Sequence, residues 1–306
     1  MSSPIWRLGK FNVVQHWWPP LLGALWVVSD SGLLVGFAVG MLSTVSFAFI
    51  VALTSTLDDI TGLKDGSDWC NYGVDDPRRV LSKKPLLTGE VSVPFAYWLS
   101  GLWLVCSGVA FWLAIIAAGS KADPWVSGAW VVCAVLGAFY SWGIKWTHWP
   151  FGGEFCICVT TILSALWPMW LAGLPVGSMV PFAVLLGVAF VAISAYSNLN
   201  DVAADSTIGR KNAATMGGEC LTFALLACLW CAAAAVALWF AIVRGELGAV
   251  PVALLLGVLF WRQARVHRAG NVLDARRMGL RNYNIVSVAM VCVIGAEMLV
   301  TTLVTT

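Results

Sequence analysis

From Leu33 to Leu57 the chain runs 25 residues without a charged side chain, and Pro94 to Ala118 repeats the pattern. Helices that cross a bilayer need about 20 mostly apolar residues. Nine segments meet that description: 11–29, 33–57, 94–118, 124–141, 155–175, 178–199, 219–243, 248–262 and 283–303. Gln15, His16 and the pair Pro19-Pro20 interrupt the first, and the eighth is short. Only 11% of the residues are charged, against about 25% in a soluble domain. The fold class that follows is all-α: a polytopic membrane protein with about nine transmembrane helices. A single domain over 1–306 is expected. Leu57-Asp58-Asp59-Ile60 and Leu199-Asn200-Asp201-Val202, each closing an apolar helix, read as a weak internal repeat, with halves at roughly 11–141 and 155–303 facing one another around a central pocket.

Charge sets the orientation. With the N-terminus and every second loop on one side, that side carries sixteen Lys and Arg and the other only Lys121 and Arg244. Basic loops stay in the cytoplasm. The N-terminus and the mouth of the pocket are therefore expected there, with the C-terminus outside (in a bacterium, across the plasma membrane). The loops 58–93, 200–218 and 263–282 on the basic side are expected to be long and polar, which is where function concentrates.

Other classes are disfavoured. Net charge +2 gives no case for nucleic acid, and nothing points to an obligate protein partner. No cleavable leader is evident at the start. The nine Cys lie mostly inside apolar stretches, which argues against disulfides, and Cys228-x-x-Cys231 reads as small residues in helix packing. Many of the eighteen Trp suit the membrane interfaces.

Two acidic clusters end apolar helices. In the second, Asn198, Asp201 and Asp205 fall at i, i+3 and i+7, on one helical face, with Arg210 and Lys211 just beyond. Stacked carboxylates repel unless a cation lies between them, and Mg²⁺ takes carboxylate oxygens while bridging to substrate phosphates. Arg210 and Lys211 would neutralise the remaining phosphate charge. The first cluster holds Asp58, Asp59, Asp65 and Asp68, followed by Asp75, Asp76, Arg78, Arg79, Lys83 and Lys84. Asp58 and Asp65 are two turns apart, with Gly62 between them. A transporter would place such acids near the bilayer midplane, whereas these sit at helix ends.

The two clusters together resemble the UbiA superfamily of intramembrane prenyltransferases, whose two halves each carry an aspartate motif. Asp201-x-x-x-Asp205 is similar to the second motif. Tyr140-Ser141-Trp142-Gly143-Ile144-Lys145 with Gly152-Gly153-Glu154, and Lys83-Lys84-Pro85-Leu86-Leu87-Thr88-Gly89-Glu90, look like loops of the naphthoate prenyltransferase branch. In the first motif Asp58 replaces the family's Asn and Gly62 its middle Asp. Gly66 holds the last acid's place, with Asp65 and Asp68 on either side.

The resemblance implies an isoprenyl diphosphate substrate and Mg²⁺. The implied metal set is Asp58, Asp59, Asp65, Asp68, Asp201 and Asp205. Catalysis is assigned to Asp59, Asp65, Asp201, Asp205 and Lys145. Substrate contact is assigned to Asn198, Arg78, Arg79, Lys83, Lys84, Arg210, Lys211, Tyr140, Trp142 and Tyr196. A small residue at position 62 also resembles the UbiA-type terpene cyclases, where it would make room for a folded prenyl chain. Aromatic faces would then guide the carbocation. Candidates are Trp98, Trp103, Trp142, Trp146, Trp149, Trp167 and Trp170, with Phe139, Tyr140 and Tyr196. Cyclisation to a terpene is the expected reaction, and prenyl transfer to an aromatic or quinone-precursor acceptor the alternative. His148 reads as a solvated loop histidine and Glu297 as an outer-interface residue.

Overall fold

The computed structural model describes residues 3–72, 80–119 and 122–305. Nine helices of 14 residues or more follow one another among them: α1 (Trp18–Ser31), α2 (Leu33–Asp65), α3 (Val93–Ala118), α4 (Trp125–Ala138), α5 (Gly152–Leu171), α6 (Val180–Thr207), α7 (Ala213–Arg244), α8 (Ala249–Arg268) and α9 (Val272–Thr305). The chain is an all-helical membrane protein. Nine spans are expected from the sequence; seven helices are long and apolar enough to cross a membrane, while α1 and α4 have 14 residues each.

Several helices outrun the apolar stretches that announce them. The stretch 33–57 continues to Asp65, and 178–199 continues to Thr207. Loops 200–218 and 263–282 are therefore not long: α7 begins at Ala213, and only three residues separate α8 from α9. Hydropathy marks the part of a helix that lies in lipid. The helix itself needs only its own backbone hydrogen bonds and can carry polar side chains on into water. The expected first span breaks into a 3-10 turn at Val14–His16 and then α1, whose first turn holds Pro19 and Pro20. A proline N–H is not missed there.

Two helices form the centre. α2 lies against α1, α3, α4 and α5, and α6 against α5, α7, α8 and α9; α1 reaches both α5 and α9. In its apolar window 72% of α6 is buried, compared with 22% of α7, so α6 is the inner helix of its half. Packing in lipid depends on close backbone approach. A Cβ at Gly40 would lie 2.4 Å from Ala24 Cβ, so glycine lets α2 close onto α1. Outer faces such as Leu34 and Ile242 are left for lipid.

Gly66 ends α2 in the left-handed region (φ 83), where glycine avoids the Cβ penalty. The chain turns at once into the short helix Ser67–Asn71, which packs against the end of α6. The two acidic helix ends thus meet.

Candidate active site

Arg210 links the two halves. Its Nη2 donates to Asp58 Oδ1 at 2.9 Å, and its Nη1 lies 3.5 Å from Asp205 Oδ1. Burial opposes the guanidinium charge, but Asp58 and Asp205 outweigh it and hold Arg210 above its ordinary pKa. Asn212 Nδ2 donates to Asp205 Oδ2 at 2.9 Å. Asn212 is also the N-cap of α7, sharing a capping box with Thr215.

A second charge cluster lies beside the first. Lys84 Nζ donates to Asp59 Oδ1 at 2.7 Å and sits 2.8 Å from Asp68 Oδ1, with all three side chains nearly buried. The Tyr72 ring covers it, 5.1 Å away. Burial pushes the Asp68 carboxyl up to about 6, Lys84 opposes that rise, and the Asp59 charge adds to it. Burial works against the Lys84 charge too, yet Asp59 and Asp68 raise it above its usual range. Lys84 is therefore an internal counter-ion.

Gly62 has a specific task in this cluster. A Cβ there would lie 2.7 Å from Asp68 Cγ and 2.8 Å from Oδ2. Glycine lets the Asp68 carboxylate lie across α2 to reach Lys84. The room expected at position 62 for a folded chain is filled by Asp68.

The six-carboxylate metal set thus separates into Asp58 and Asp205 on Arg210, and Asp59 and Asp68 on Lys84. Asp65 is half-buried; its Oδ1 accepts the Ser67 N–H at 3.0 Å, and its charge reaches Arg210 and His148. Asp201 is half-buried one turn before Asp205. Asn198 donates to Glu154 Oε1 at 3.5 Å, and the Ala213 N–H donates to the same oxygen at 3.0 Å. Glu154 so ties α5 to α6 and to the start of α7.

Other expected contacts lie elsewhere. Lys83 and Lys211 are exposed; Lys211 pins the 139–151 connection through backbone bonds to Thr147 and Phe151 instead. Trp142 is 40% exposed, and Tyr196 faces α7 and α8, away from the charged pairs. Lys145 adopts φ 54 and its charge, after burial, helps hold the half-buried His148 below its usual pKa. Arg78 and Arg79 lie outside the described residues.

Beneath Asp58 is a cavity of about 200 Å³ between α2, α4, α5 and α6. Its wall on α2 is a helical stripe of Phe47, Ile50, Val51, Thr54 and Asp58, apolar below and acidic at the mouth. Tyr140 lines it. Lys10, His16, Phe47 and Phe190 also line it, and sequence reasoning missed all four. Lys10 and His16 precede α1 with no motif to mark them: Lys10 counts only as a basic residue before the first expected span, and His16 falls inside that span. None of the seven candidate Trp lines this cavity. Trp167 stands behind Phe47, its ring 6.0 Å away, and Trp103 packs on Phe49.

The donors suit a hard cation. Mg²⁺ is commonly held by one or two carboxylates plus substrate phosphates, not by an all-protein cage. Among the described residues no three carboxylates cluster as a cage, but Asp58 and Asp205 converge from opposite halves on one cationic group.

No family model matches the sequence, and no curated protein matches it. Solved structures do. A UbiA homologue from Archaeoglobus fulgidus bound to DMAPP and Mg²⁺ superposes with a TM-score of 0.69 at 17% identity, covering 97% of this chain and 99% of that one. The same homologue bound to GPP and Mg²⁺ gives 0.69 at 18%. A digeranylgeranylglyceryl phosphate synthase gives 0.63 at 16%, covering 95% and 97%. Over nearly its whole length, the chain has the fold of the UbiA homologues.

Proposed function

We propose that this chain is a Mg²⁺-dependent intramembrane enzyme that ionises an isoprenyl diphosphate and transfers the prenyl group to an acceptor. The observation that carries it is the Asp58–Arg210–Asp205 bridge at the mouth of an apolar cavity. The fold shared with homologues that bind DMAPP or GPP with Mg²⁺ supports it. The excess of basic residues at this end supports a cytoplasmic mouth and N-terminus.

Asp58, Asp201 and Asp205 would hold the metal, with Asp65 at the rim. The metal would draw charge from the diphosphate oxygens and make diphosphate a better leaving group. Arg210 donates to the phosphates, and Lys10 adds charge at the mouth. The prenyl chain lies down the α2 stripe toward Phe47, out of water. When the allylic C–O bond breaks, its electron pair leaves with the diphosphate. The carbocation then bonds to a nucleophilic carbon or oxygen of the acceptor, which loses a proton.

The room at Gly62 on which cyclisation drew is taken up by Asp68, and of the aromatic candidates Tyr140 lines the cavity while none of the seven Trp does. Transfer is the reading adopted. The test incubates detergent-purified protein, Mg²⁺ and isoprenyl diphosphates of several lengths, with and without aromatic acceptors such as 4-hydroxybenzoate or 1,4-dihydroxy-2-naphthoate. Prenylated acceptor is expected, and only when acceptor is present. A cyclic hydrocarbon or alcohol formed without acceptor would replace transfer by cyclisation.

Metal dependence is a separate prediction. EDTA is expected to abolish turnover and excess Mg²⁺ to restore it. Full activity in a chelated, metal-free preparation would remove the metal from the proposal.

A further inference from the structure

A second cavity, about 520 Å³, opens between α6, α7 and α8, and its lining shares no residue with that of the central one. Its size is within the roughly 300–1,000 Å³ usual for ligand pockets. Tyr196, Phe223, Trp230, Phe260 and Trp261 form the walls. The Trp230 indole N–H donates to Ala253 O at 2.9 Å, which fixes one wall in place. Leu254, Val258 and Trp261 of the lining are all more than half exposed, so the open side faces the bilayer.

The mouth is basic. The Arg268 guanidinium lies 5.7 Å from the centre of the Phe223 ring and that of Arg265 lies 4.8 Å from Trp261. Arg262 is exposed one turn earlier on α8. Glu219 on α7 lies 2.9 Å from Nε2 of His267, the residue before Arg268. Stacking on aromatic faces orients guanidinium groups while leaving their N–H edges free for an anion. An apolar slot open to lipid would fill with any hydrocarbon, so the arginines are what select the occupant.

We propose that this groove binds an anionic phospholipid, with one acyl chain along the aromatic wall and the phosphate on Arg265 and Arg268. Basic pockets between transmembrane helices bind anionic lipid headgroups in this way, and guanidinium–phosphate contacts are charge-assisted and often bidentate. The site lies on the back of the helix that carries Asp201 and Asp205, separate from the cavity assigned to the prenyl chain, and does not depend on that assignment.

The test is native mass spectrometry of the full chain in a neutral detergent, titrated with phosphatidylglycerol or phosphatidylcholine of matched acyl chains. Phosphatidylglycerol is expected to bind about tenfold tighter or more, given two arginines near its phosphate. Arg265→Gln/Arg268→Gln is expected to erase the preference and Arg265→Lys/Arg268→Lys to keep most of it. Ala227→Trp, which fills the apolar slot, is expected to weaken both lipids. Equal binding of the two lipids to the unaltered protein would overturn the proposal, as would a preference that survives the Gln pair. Displacement of phosphatidylglycerol by a neutral isoprenoid quinol would also overturn it, reassigning the groove to an uncharged ligand. Should the Gln pair fail to fold, salt replaces it: retention of phosphatidylglycerol unchanged at high salt would overturn the role of charge.

Discussion

Asp205→Asn and Asp201→Asn are each expected to lower kcat/KM for the isoprenyl diphosphate at least about 100-fold, while the protein stays folded in detergent. Asparagine keeps the size of the side chain and removes its charge. At Asp205 the amide still pairs with Asn212, so the cap of α7 is held. What is lost is one of the two carboxylates that converge on the cationic centre between the halves. Asp201 is half-buried one turn away and makes the second, milder test of the same face. Size-exclusion and thermal profiles close to the parent, beside collapsed turnover, would place the defect in chemistry. Near-normal rates in both variants would remove these aspartates from the site and leave Arg210 as a structural bridge between α2 and α6.

The overall architecture was legible because lipid imposes a simple rule on sequence. The stretch 94–118 matches α3 to within a residue, since both its ends coincide with the limits of the apolar run. The limits of α6 and α9 were not legible. Their polar ends follow from helical continuity and from packing against neighbours, which hydropathy does not record. The acidic face Asn198–Asp201–Asp205 could be read because its spacing lies within one helix. Its partners could not: Arg210 and Asp58 are 152 positions apart, and only the folded chain brings them together. The same holds for Lys10 and His16, which reach the cavity from before α1. Gly62 stands out in the sequence, yet the space it leaves is occupied by the Asp68 carboxylate, because the consequence of losing a side chain depends on which atom takes its place.

Lys84→Met is expected to destabilise the protein by about 3–5 kcal/mol, the usual cost of removing one partner from a buried ion pair. A clear fall in thermal midpoint in detergent is the readout. The sequence alone places Lys84 on the substrate phosphates, whereas the structure gives it to Asp59 and Asp68. With the ammonium gone, both carboxylates would face each other in a buried site with no compensating charge. Two further observations make the loss difficult to absorb. The Tyr72 ring covers the cluster, and Gly62 is closed over by Asp68, so water has little room to enter. Removing the charges together should relieve most of the penalty: Lys84→Met/Asp59→Asn/Asp68→Asn is expected to recover much of the lost midpoint, because what costs most is the unpaired charge. The two roles for Lys84 separate cleanly. If it serves the diphosphate, Lys84→Met keeps its thermal midpoint and loses affinity for substrate. If it is the internal counter-ion, stability falls first, and the triple variant regains stability in proportion to the charge removed.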